Sequence, residues 1–410
     1  MKNNYFESGS GQKRDGRMVL VKDLEDDNVK KKINKKQFLR RGALIIAAVI
    51  IVIFIVFAVR TLMHRHTYSS MKIIKQTELS NMEDAAYVVY ANGVIRYGHN
   101  GAEYVDRDGN VIWNAAYEME NPMVKTEGDY AVIADKGGYS FIICGSNGAV
   151  SDNTTDKVII NADVSLSGAV CIGTDDETSD YVNFYNKDGS RLDIEIKTIL
   201  AGDGYPMDME ISPNGQLLMM SYMYLNEGIM RSKVVFYNFS ELGQSYSDRL
   251  VGIFNDFDES VVPEVMILSD EYACAFAEDR VNFYSLQNPT KPVLTEAYEY
   301  DDEIKSVFSS DKYVGIISRN SSGTAGEKLD IYTTSGKTAA NAGISFEYEE
   351  VKLFDGLVIL NNSSHCSVYT VDGSLKYSGE LGGTIDYVAG IKSNRLMKFG
   401  GSQMSEIKLK

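Results

Sequence analysis

The sequence contains few of the residues that build metal centres and disulfide frameworks. Its 410 residues include four cysteines, four histidines, six prolines and one tryptophan. The cysteines are Cys144, Cys171, Cys274 and Cys366. They lie mostly in or beside apolar runs and show no C-x-x-C or Cys/His spacing, which predicts buried thiols. A disulfide between neighbouring strands, for example Cys144 with Cys171, stays open as the alternative.

Familiar signatures of catalysis are also absent. The sequence has no G-x-S-x-G, H-E-x-x-H or P-loop motif. Beyond residue 66 the only histidines are His99 and His365, which are far apart in the sequence and are predicted to occupy turns or strand ends. Two distant histidines are too few for a histidine-based metal site and are poor candidates for a catalytic triad. We nominate no catalytic residue and no cofactor.

Basic residues are scarce over most of the chain. Residues 1–66 hold 14 of the 41 Lys and Arg and 6 of the 57 Asp and Glu, which leaves 27 basic against 51 acidic residues for 67–410. Such an excess of negative charge should repel nucleic acid and anionic lipid headgroups. It favours cationic partners, or divalent ions held loosely on the surface.

One long apolar run, Gly42–Val59, contains no charge and no hydrogen-bonding side chain. At about 1.5 Å per residue it would span about 27 Å, close to the roughly 30 Å hydrocarbon core of a bilayer. We predict a transmembrane helix over residues 42–60. A cleaved signal peptide is the alternative, but the run exceeds the usual length of about 7–15 residues and no A-x-A-like site follows it.

The residues before this run predict its orientation. Residues 1–41 are polar and lysine-rich and are predicted to form a disordered tail. The basic residues next to the apolar run are Lys30, Lys31, Lys32, Lys35, Lys36, Arg40 and Arg41. The positive-inside rule then places the N-terminus in the cytoplasm and the chain beyond residue 60 outside the cell.

From about Met82 onward, short apolar and aromatic segments recur in a fixed order with Gly, Asp or Asn turns between them. Eight such units are present, and from Gly93 to Asn394 their mean spacing is about 43 residues. This period, with four strands in each unit, is typical of the blades of a β-propeller. Room for the first strand of a unit lies, for example, at Met207–Ser212, Val262–Leu268, Ile304–Ser309 and Glu350–Phe354. We therefore predict an all-β, eight-bladed propeller over residues 81–410, with seven blades as the alternative.

The last unit ends after its third strand, Ser405–Lys410, so its fourth strand must come from elsewhere or leave an open edge. Residues 61–80 are predicted to form a juxtamembrane linker. Within it, Met71–Leu79 has the apolar residues of a strand and is the candidate for the missing place. We predict that this segment closes the ring.

The order of strands and turns resembles that of quinoprotein-like and WD40-like propellers. More narrowly, the sequence resembles an uncharacterised family of single-pass membrane proteins of Gram-positive bacteria, a domain of unknown function with a propeller ectodomain. The segments Asn121–Gly138 and Met209–Ser221 carry most of the resemblance, which covers residues 42–410. It implies the fold and the topology. The family brings no catalytic residues, and the sequence lacks the Trp-Asp dipeptide of WD40 repeats.

A few acidic stretches have the ligand types that calcium prefers. Residues 106–110 begin like a calcium loop, but Val111 stands where that loop needs glycine, and a hairpin turn explains them better. The remaining weak calcium candidates are Asp175, Asp176, Glu177 and Asp180, for which a solvated loop is the simpler interpretation.

We interpret the sequence as that of a membrane-anchored extracellular propeller that acts as a binding or scaffolding module at the cell envelope. Its expected partners are the membrane, through one helix, and an unidentified envelope protein or a cationic or glycan ligand. Nucleic acid is not among them. The alternative is a cell-surface hydrolase that acts on envelope glycans through carboxylates at the channel mouth, because a propeller can gather residues from distant blades. A sensor is a third interpretation, with no recognisable output domain in residues 1–41 to support it.

Overall fold

A computed structural model describes residues 46–55, 67–257, 259–321, 326–354 and 356–410. The chain divides into two units, Met1–His66 and Thr67–Lys410. In the first unit, residues 46–55 form an exposed α-helix, α1. Within the ranges described, no helix is both long enough and apolar enough to cross a membrane.

Several predictions concern residues outside those ranges. They are the disordered tail, both ends of the predicted span at Gly42 and Val59, and the basic residues that were used to orient it. The transmembrane helix and its orientation therefore stay predictions.

The second unit is an eight-bladed β-propeller, as predicted, and each blade is a four-stranded antiparallel sheet. Blade 1 contains β2 (Ala86–Tyr90), β3 (Gly93–Gly98), β4 (Gly101–Asp106) and β5 (Val111–Ala116). Blade 2 contains β6 (Pro122–Glu127), β7 (Tyr130–Asp135), β8 (Ser140–Gly145) and β9 (Gly148–Thr154). Blade 3 contains β10 (Val158–Val164), β11 (Val170–Asp175), β12 (Ser179–Tyr185) and β13 (Arg191–Ile199), and is followed by the short helix α2 (Leu200–Asp203). Blade 4 contains β14 (Tyr205–Ile211), β15 (Leu217–Asn226), β16 (Ile229–Asn238) and β17 (Leu250–Phe254), with two 3-10 helices, Glu241–Ser245 and Ser247–Arg249, before its last strand.

The other four blades have the same order. Blade 5 contains β18 (Glu264–Ser269), β19 (Tyr272–Phe276), β20 (Arg280–Ser285) and β21 (Val293–Glu299). Blade 6 contains β22 (Ile304–Ser309), β23 (Tyr313–Arg319), β24 (Glu327–Thr333) and β25 (Thr338–Ile344). Blade 7 contains β26 (Glu350–Phe354), β27 (Leu357–Asn361), β28 (His365–Thr370) and β29 (Leu375–Glu380). Blade 8 contains β30 (Tyr387–Lys392), β31 (Arg395–Gly400), β32 (Gln403–Leu409) and β1 (Met71–Glu78).

The position of a strand within its blade explains its sequence pattern. The two middle strands are covered by neighbouring blades on both faces, so β7 and β8 are almost continuously buried and apolar. The outer strand β13 alternates between exposed and buried residues along most of its length, as a strand with one solvated face does.

Strand β1 closes the ring by pairing antiparallel with β32. The register joins Met71 to Leu409 and Glu78 to Gln403. Beyond the strand, the Ser70 and Lys410 backbones exchange hydrogen bonds of 3.1 and 2.8 Å. The outer strand of the last blade thus comes from the segment proposed for that place in the sequence analysis.

The cysteines and histidines occupy the kinds of position predicted for them. All four cysteines are buried free thiols, so Cys144 and Cys171 are not joined. His99 lies in the turn between β3 and β4, and His365 begins β28. In the turn between β4 and β5, Asp106 Oδ1 accepts hydrogen bonds from the N–H groups of Asp108 and Asn110 at 2.9 and 2.8 Å, which confirms the hairpin turn.

Candidate binding site in the central channel

The first strand of each blade lies next to the central channel of the propeller, and one edge of that strand has no partner in its own sheet. Carboxylates from neighbouring blades satisfy part of this edge. Asp163 of β10 accepts a hydrogen bond of 2.8 Å from the N–H of Ile211 on β14. Asp208 of β14 accepts one of 3.0 Å from the N–H of Val265 on β18 and a second of 3.0 Å from the Asn161 amide. These acids therefore help to join blades 3, 4 and 5.

The same two acids belong to a larger charged cluster around one lysine. Lys125 of β6 interacts electrostatically with the carboxylates of Asp163, Asp208, Glu210 and Glu264. We call these four acids and Lys125 the acidic sector. Burial lowers the pKa of Lys125, but attraction to the four acids outweighs that effect and raises it above the ordinary value. The acids outnumber the lysine four to one, so the sector carries an excess of negative charge.

The pKa values of these acids are raised by burial first and by that excess of negative charge second. Burial raises the pKa of Glu264 to about 7, and repulsion from Asp208 adds to the shift, while Lys125 and Lys352 oppose it. Burial also raises the pKa of Asp163 and of Glu210, and the two acids are close enough to repel each other. Near neutral pH the sector therefore retains protons that ordinary carboxylates would have released.

On the other side of the ring the channel strands have a different character. Tyr87 of β2 and Tyr387 of β30 stack with their ring centroids 5.2 Å apart and an interplanar angle of 10°. Lys352 of β26 places its Nζ 5.9 Å from the centroid of the Tyr387 ring. We call these three residues the aromatic sector. Ring stacking and a cation–π contact stabilise it. Glu350, on the same strand, pairs with Lys352 at 3.5 Å and balances its charge.

A cavity of about 380 Å³ lies between blades 3 and 4, beside the acidic sector. We call it the interblade cavity. Its wall includes methionine and tyrosine side chains, among them Met207, Met209 and Tyr205. Its polar lining includes Asp180 and also Asp208, which belongs to the acidic sector as well.

The acidic stretch proposed for calcium lies at this cavity. Asp175, Glu177 and Asp180 line it, whereas Asp176 is exposed in the adjoining turn. Asp175 and Asp180 are cross-strand partners on β11 and β12. Burial and the neighbouring Asp175 raise the pKa of Asp180 to about 6. In the part of the chain that the structure describes, no group of three or more His, Cys, Asp or Glu side chains is arranged to hold a metal ion, and a calcium site here stays a prediction.

The acidic sector was missed in the sequence analysis, although a signal for it exists. The four acids of the sector lie on three first strands, β10, β14 and β18, and in β14 the order Asp208-Met209-Glu210 alternates acidic and apolar residues. Alternation of this kind places the two acids on one side of the strand. Charged residues in the first strand of each predicted blade would therefore have been better candidates for a binding site than the acids in loops.

Comparison with solved structures supports the fold. BamB from Moraxella catarrhalis is 11% identical, with a TM-score of 0.52 over 83% of this chain and 100% of that chain. Sqt1 from Chaetomium thermophilum is 13% identical, with a TM-score of 0.56 over 83% of this chain and 100% of that chain. The Sqt1 structure bound to the N-terminus of the ribosomal protein L10 is 13% identical and scores 0.51 over 79% and 92%. At these identities the likeness shows the propeller fold alone.

Comparison with protein sequences gives a family but no characterised relative. No curated protein matches the sequence. The model of a family of unknown function, DUF5711, matches residues 64–409.

Proposed function

The chain belongs to the DUF5711 family of unknown function, and we propose that it is a binding or scaffolding module whose propeller holds a positively charged partner at the acidic sector. The apolar run before the propeller would anchor it in the membrane, with the N-terminus in the cytoplasm and the propeller outside the cell. The observation that carries the binding proposal is the set of four carboxylates around Lys125. Anchoring and location rest on the sequence pattern.

Burial is the main cause of the raised carboxyl pKa values, and repulsion between the acids adds to it. A cationic group would relieve that repulsion. Asp208, Glu210 and Glu264 are reachable by water and yet largely enclosed by protein. Opposite charges attract more strongly in such a setting than at an open surface, because less water screens them. A bound ammonium or guanidinium group should lower the pKa of these acids and release protons on binding.

A segment of another protein is the partner that suits the surroundings best. The hairpin of β15 and β16 has ten residues in each strand, and its end exposes Leu225 by 68% and Met230 by 43%. The same hairpin contributes Met220 to the interblade cavity. A segment with both basic and apolar side chains would match these surfaces. Sqt1, a propeller of similar fold, has been solved with the N-terminus of a ribosomal protein bound to it.

Binding of model peptides tests this proposal. The purified full-length chain is titrated with fluorescent lysine/leucine and glutamate/leucine peptides of equal length, and binding is followed by anisotropy. We expect the basic peptide alone to bind, and Glu210→Gln to weaken it about tenfold, as the loss of one enclosed charge–charge contact does. The exposed acid Asp152 of β9 provides the matched control, Asp152→Asn. Equal binding of both peptides, or equal loss in the control, would refute the proposal.

The predicted topology has a separate test. Intact cells that express the chain with an N-terminal tag are treated with an impermeant protease. We expect the propeller to be cut or released while the tag stays protected. Digestion of the tag, or protection of both ends until lysis, would contradict the proposed orientation.

The hydrolase alternative keeps one supporting observation. Glu264 has a pKa of about 7, so it retains a proton near neutral pH as the general acid of a glycosidase does. The full-length chain is incubated with purified envelope glycans, and the release of reducing ends is measured. Turnover that disappears in Glu264→Gln and persists in Asp152→Asn would favour catalysis over binding.

A further inference from the structure

The interblade cavity combines an apolar interior with an unusual pair of acids. Met207, Met209 and Met220 contribute flexible apolar side chains to its wall. Asp180 also lines it, although only 5% of that residue is exposed to solvent. Burial of an acid beside methionines is costly unless a donor or a cation compensates it.

The protein itself does not supply that compensation. Asp180 Oδ2 and Asp175 Oδ1 are buried, and neither accepts a hydrogen bond from a donor group of the described residues. The two carboxyl groups are neighbours across β11 and β12. Below about pH 6 Asp180 keeps a proton and can hydrogen-bond to Asp175, and above that pH the two neighbouring charges repel each other until a cation compensates them. The pair is therefore suited to bind a positively charged group that donates hydrogen bonds.

We propose that the interblade cavity binds a primary ammonium group on an aliphatic stem. The ammonium carries three N–H donors, enough for both unpaired carboxyl oxygens, and the stem would pack against the methionines. Free alkylamines and lysine side chains share this chemistry. The site is separate from the centre of the acidic sector, although Asp208 contributes to both, and the proposal does not depend on a partner at the sector.

Other charged groups near Asp180 could also affect the pH dependence of amine binding. They are Asp208 and Glu177 in the cavity lining, Lys136 at the exposed rim, Lys157 and Lys197 over the Tyr181 ring, and Asp203 of α2. Lys157 is paired with Asp156 at 3.2 Å. Asp203 accepts a hydrogen bond of 2.9 Å from the N–H of Ile199. Asp175 and Asp180 thus each keep one buried oxygen without a hydrogen-bond donor among the described residues.

Calorimetry on the full-length chain provides the main test, with n-pentylamine as the probe and 1-pentanol as its uncharged counterpart. We expect saturable binding of the amine and none of the alcohol at pH 8. At pH 5 the affinity should fall about tenfold, because Asp180, with a pKa of about 6, is then mostly protonated. Equal binding of the alcohol, or no saturable binding of the amine at pH 8, would overturn the proposal.

Two variants locate the binding site. Asp180→Asn should weaken pentylamine binding about tenfold and abolish its pH dependence, whereas Asp152→Asn should change neither. If Asp180→Asn does not fold, Gly173→Ala still tests the site, because Gly173 lines the cavity and an added Cβ would meet Ile160 and Met209 at an ordinary 3.5 Å. That variant should weaken pentylamine and leave methylamine, which has no stem, unaffected. Unchanged pentylamine binding in every folded cavity variant would refute the assignment.

A second titration distinguishes the two sources of the ammonium group. A short neutral peptide with one lysine is compared with the same peptide carrying norleucine. Binding of the lysine peptide that pentylamine competes away indicates a partner side chain, and binding of pentylamine alone indicates a free amine. If Glu210→Gln weakens basic-peptide binding while pentylamine binding is unchanged, the two sites are independent. Failure of the cavity proposal therefore leaves the proposed function standing.

Discussion

Buried charges are only partly compensated in the acidic sector, whereas on the opposite side of the ring they form an ion pair. In the acidic sector four carboxylates surround one lysine, and their pKa values are raised or their oxygens are tied to neighbouring backbone. In blade 1, close to the aromatic sector, Arg96 and Glu103 form an ion pair of 3.1 Å with side chains 1% and 8% exposed. Ser80 bridges this pair, since its carbonyl accepts from Arg96 and its hydroxyl donates to Glu103.

This difference separates structural charge from charge that is available to a ligand. Arg96 and Glu103 compensate each other's charge within the protein, although Arg96 Nε has no hydrogen-bond partner among the described residues. Removing one member leaves the charge of the other uncompensated. A sector with surplus acids stays destabilised until a cation arrives, so ligand binding can supply the missing charge. Four changes test the contrast, from the largest expected effect to the smallest.

Removal of β1 should cause the largest loss, because blade 8, which contributes Tyr387 to the aromatic sector, then loses its outer strand. We expect deletion of residues 71–78 to lower the melting midpoint of the propeller by about 10 °C or more. Lys72→Ala changes an exposed residue of the same strand and serves as the control. An unchanged midpoint after the deletion would show that the pairing of β1 with β32 contributes no stability.

Glu103→Ala should destabilise the propeller by about 3–5 kcal/mol, because Arg96 would remain buried without its counter-charge. Chemical denaturation measures the free energy of unfolding. The double variant Arg96→Met/Glu103→Leu should recover much of the loss, since it removes both charges together. A cost below about 1 kcal/mol for the single variant would contradict the assignment of this pair as structural.

Acidification should stabilise the acidic sector. The folded-state pKa of Glu264, about 7, lies above its ordinary value, so the folded protein holds more protons than the unfolded chain between about pH 4.5 and 7. Stability is then lost as the pH rises through that window. We expect the melting midpoint to be about 2–5 °C higher at pH 5.5 than at pH 8, with a smaller rise in Glu264→Gln. A melting midpoint that falls on acidification would contradict the assignment of surplus, proton-retaining acids to the acidic sector.

Glu210→Gln should have the smallest effect and the opposite sign to Glu103→Ala. Removal of one surplus acid reduces repulsion, so we expect stabilisation of up to about 1 kcal/mol in chemical denaturation without ligand. The same variant should weaken the binding of basic peptides. Destabilisation comparable to that of Glu103→Ala would show that the sector is a structural network.

The fold could be predicted because its signals are local and repeated. The first strand expected at Met207–Ser212 lies at Tyr205–Ile211, and those expected at Ile304–Ser309 and Glu350–Phe354 have those bounds. Turn residues and apolar runs fix such strands within a few positions. The closing strand was also accessible, because counting the strands left one place empty.

The binding site could not be predicted in the same way because it depends on how neighbouring blades meet. The hydrogen bond from Ile211 to Asp163 joins residues 48 positions apart, and nothing in either local sequence specifies it. Asp180 was noticed as part of an acidic loop, but the cavity that it lines is completed by Met207 and Met209 of the next blade. The sequence showed that Asp180 is acidic, but it did not show that residues of the next blade enclose it in a cavity.

The pairing of β1 with β32 has a consequence for biosynthesis. The hydrogen bonds between Ser70 and Lys410 join residues 340 positions apart, so a ribosome makes one partner long before the other. Seven blades can form while the nascent chain emerges, but the eighth waits for the synthesis of β32. A prematurely terminated chain without β32 would leave β1 unpaired, and an unpaired strand can pair with another chain and aggregate.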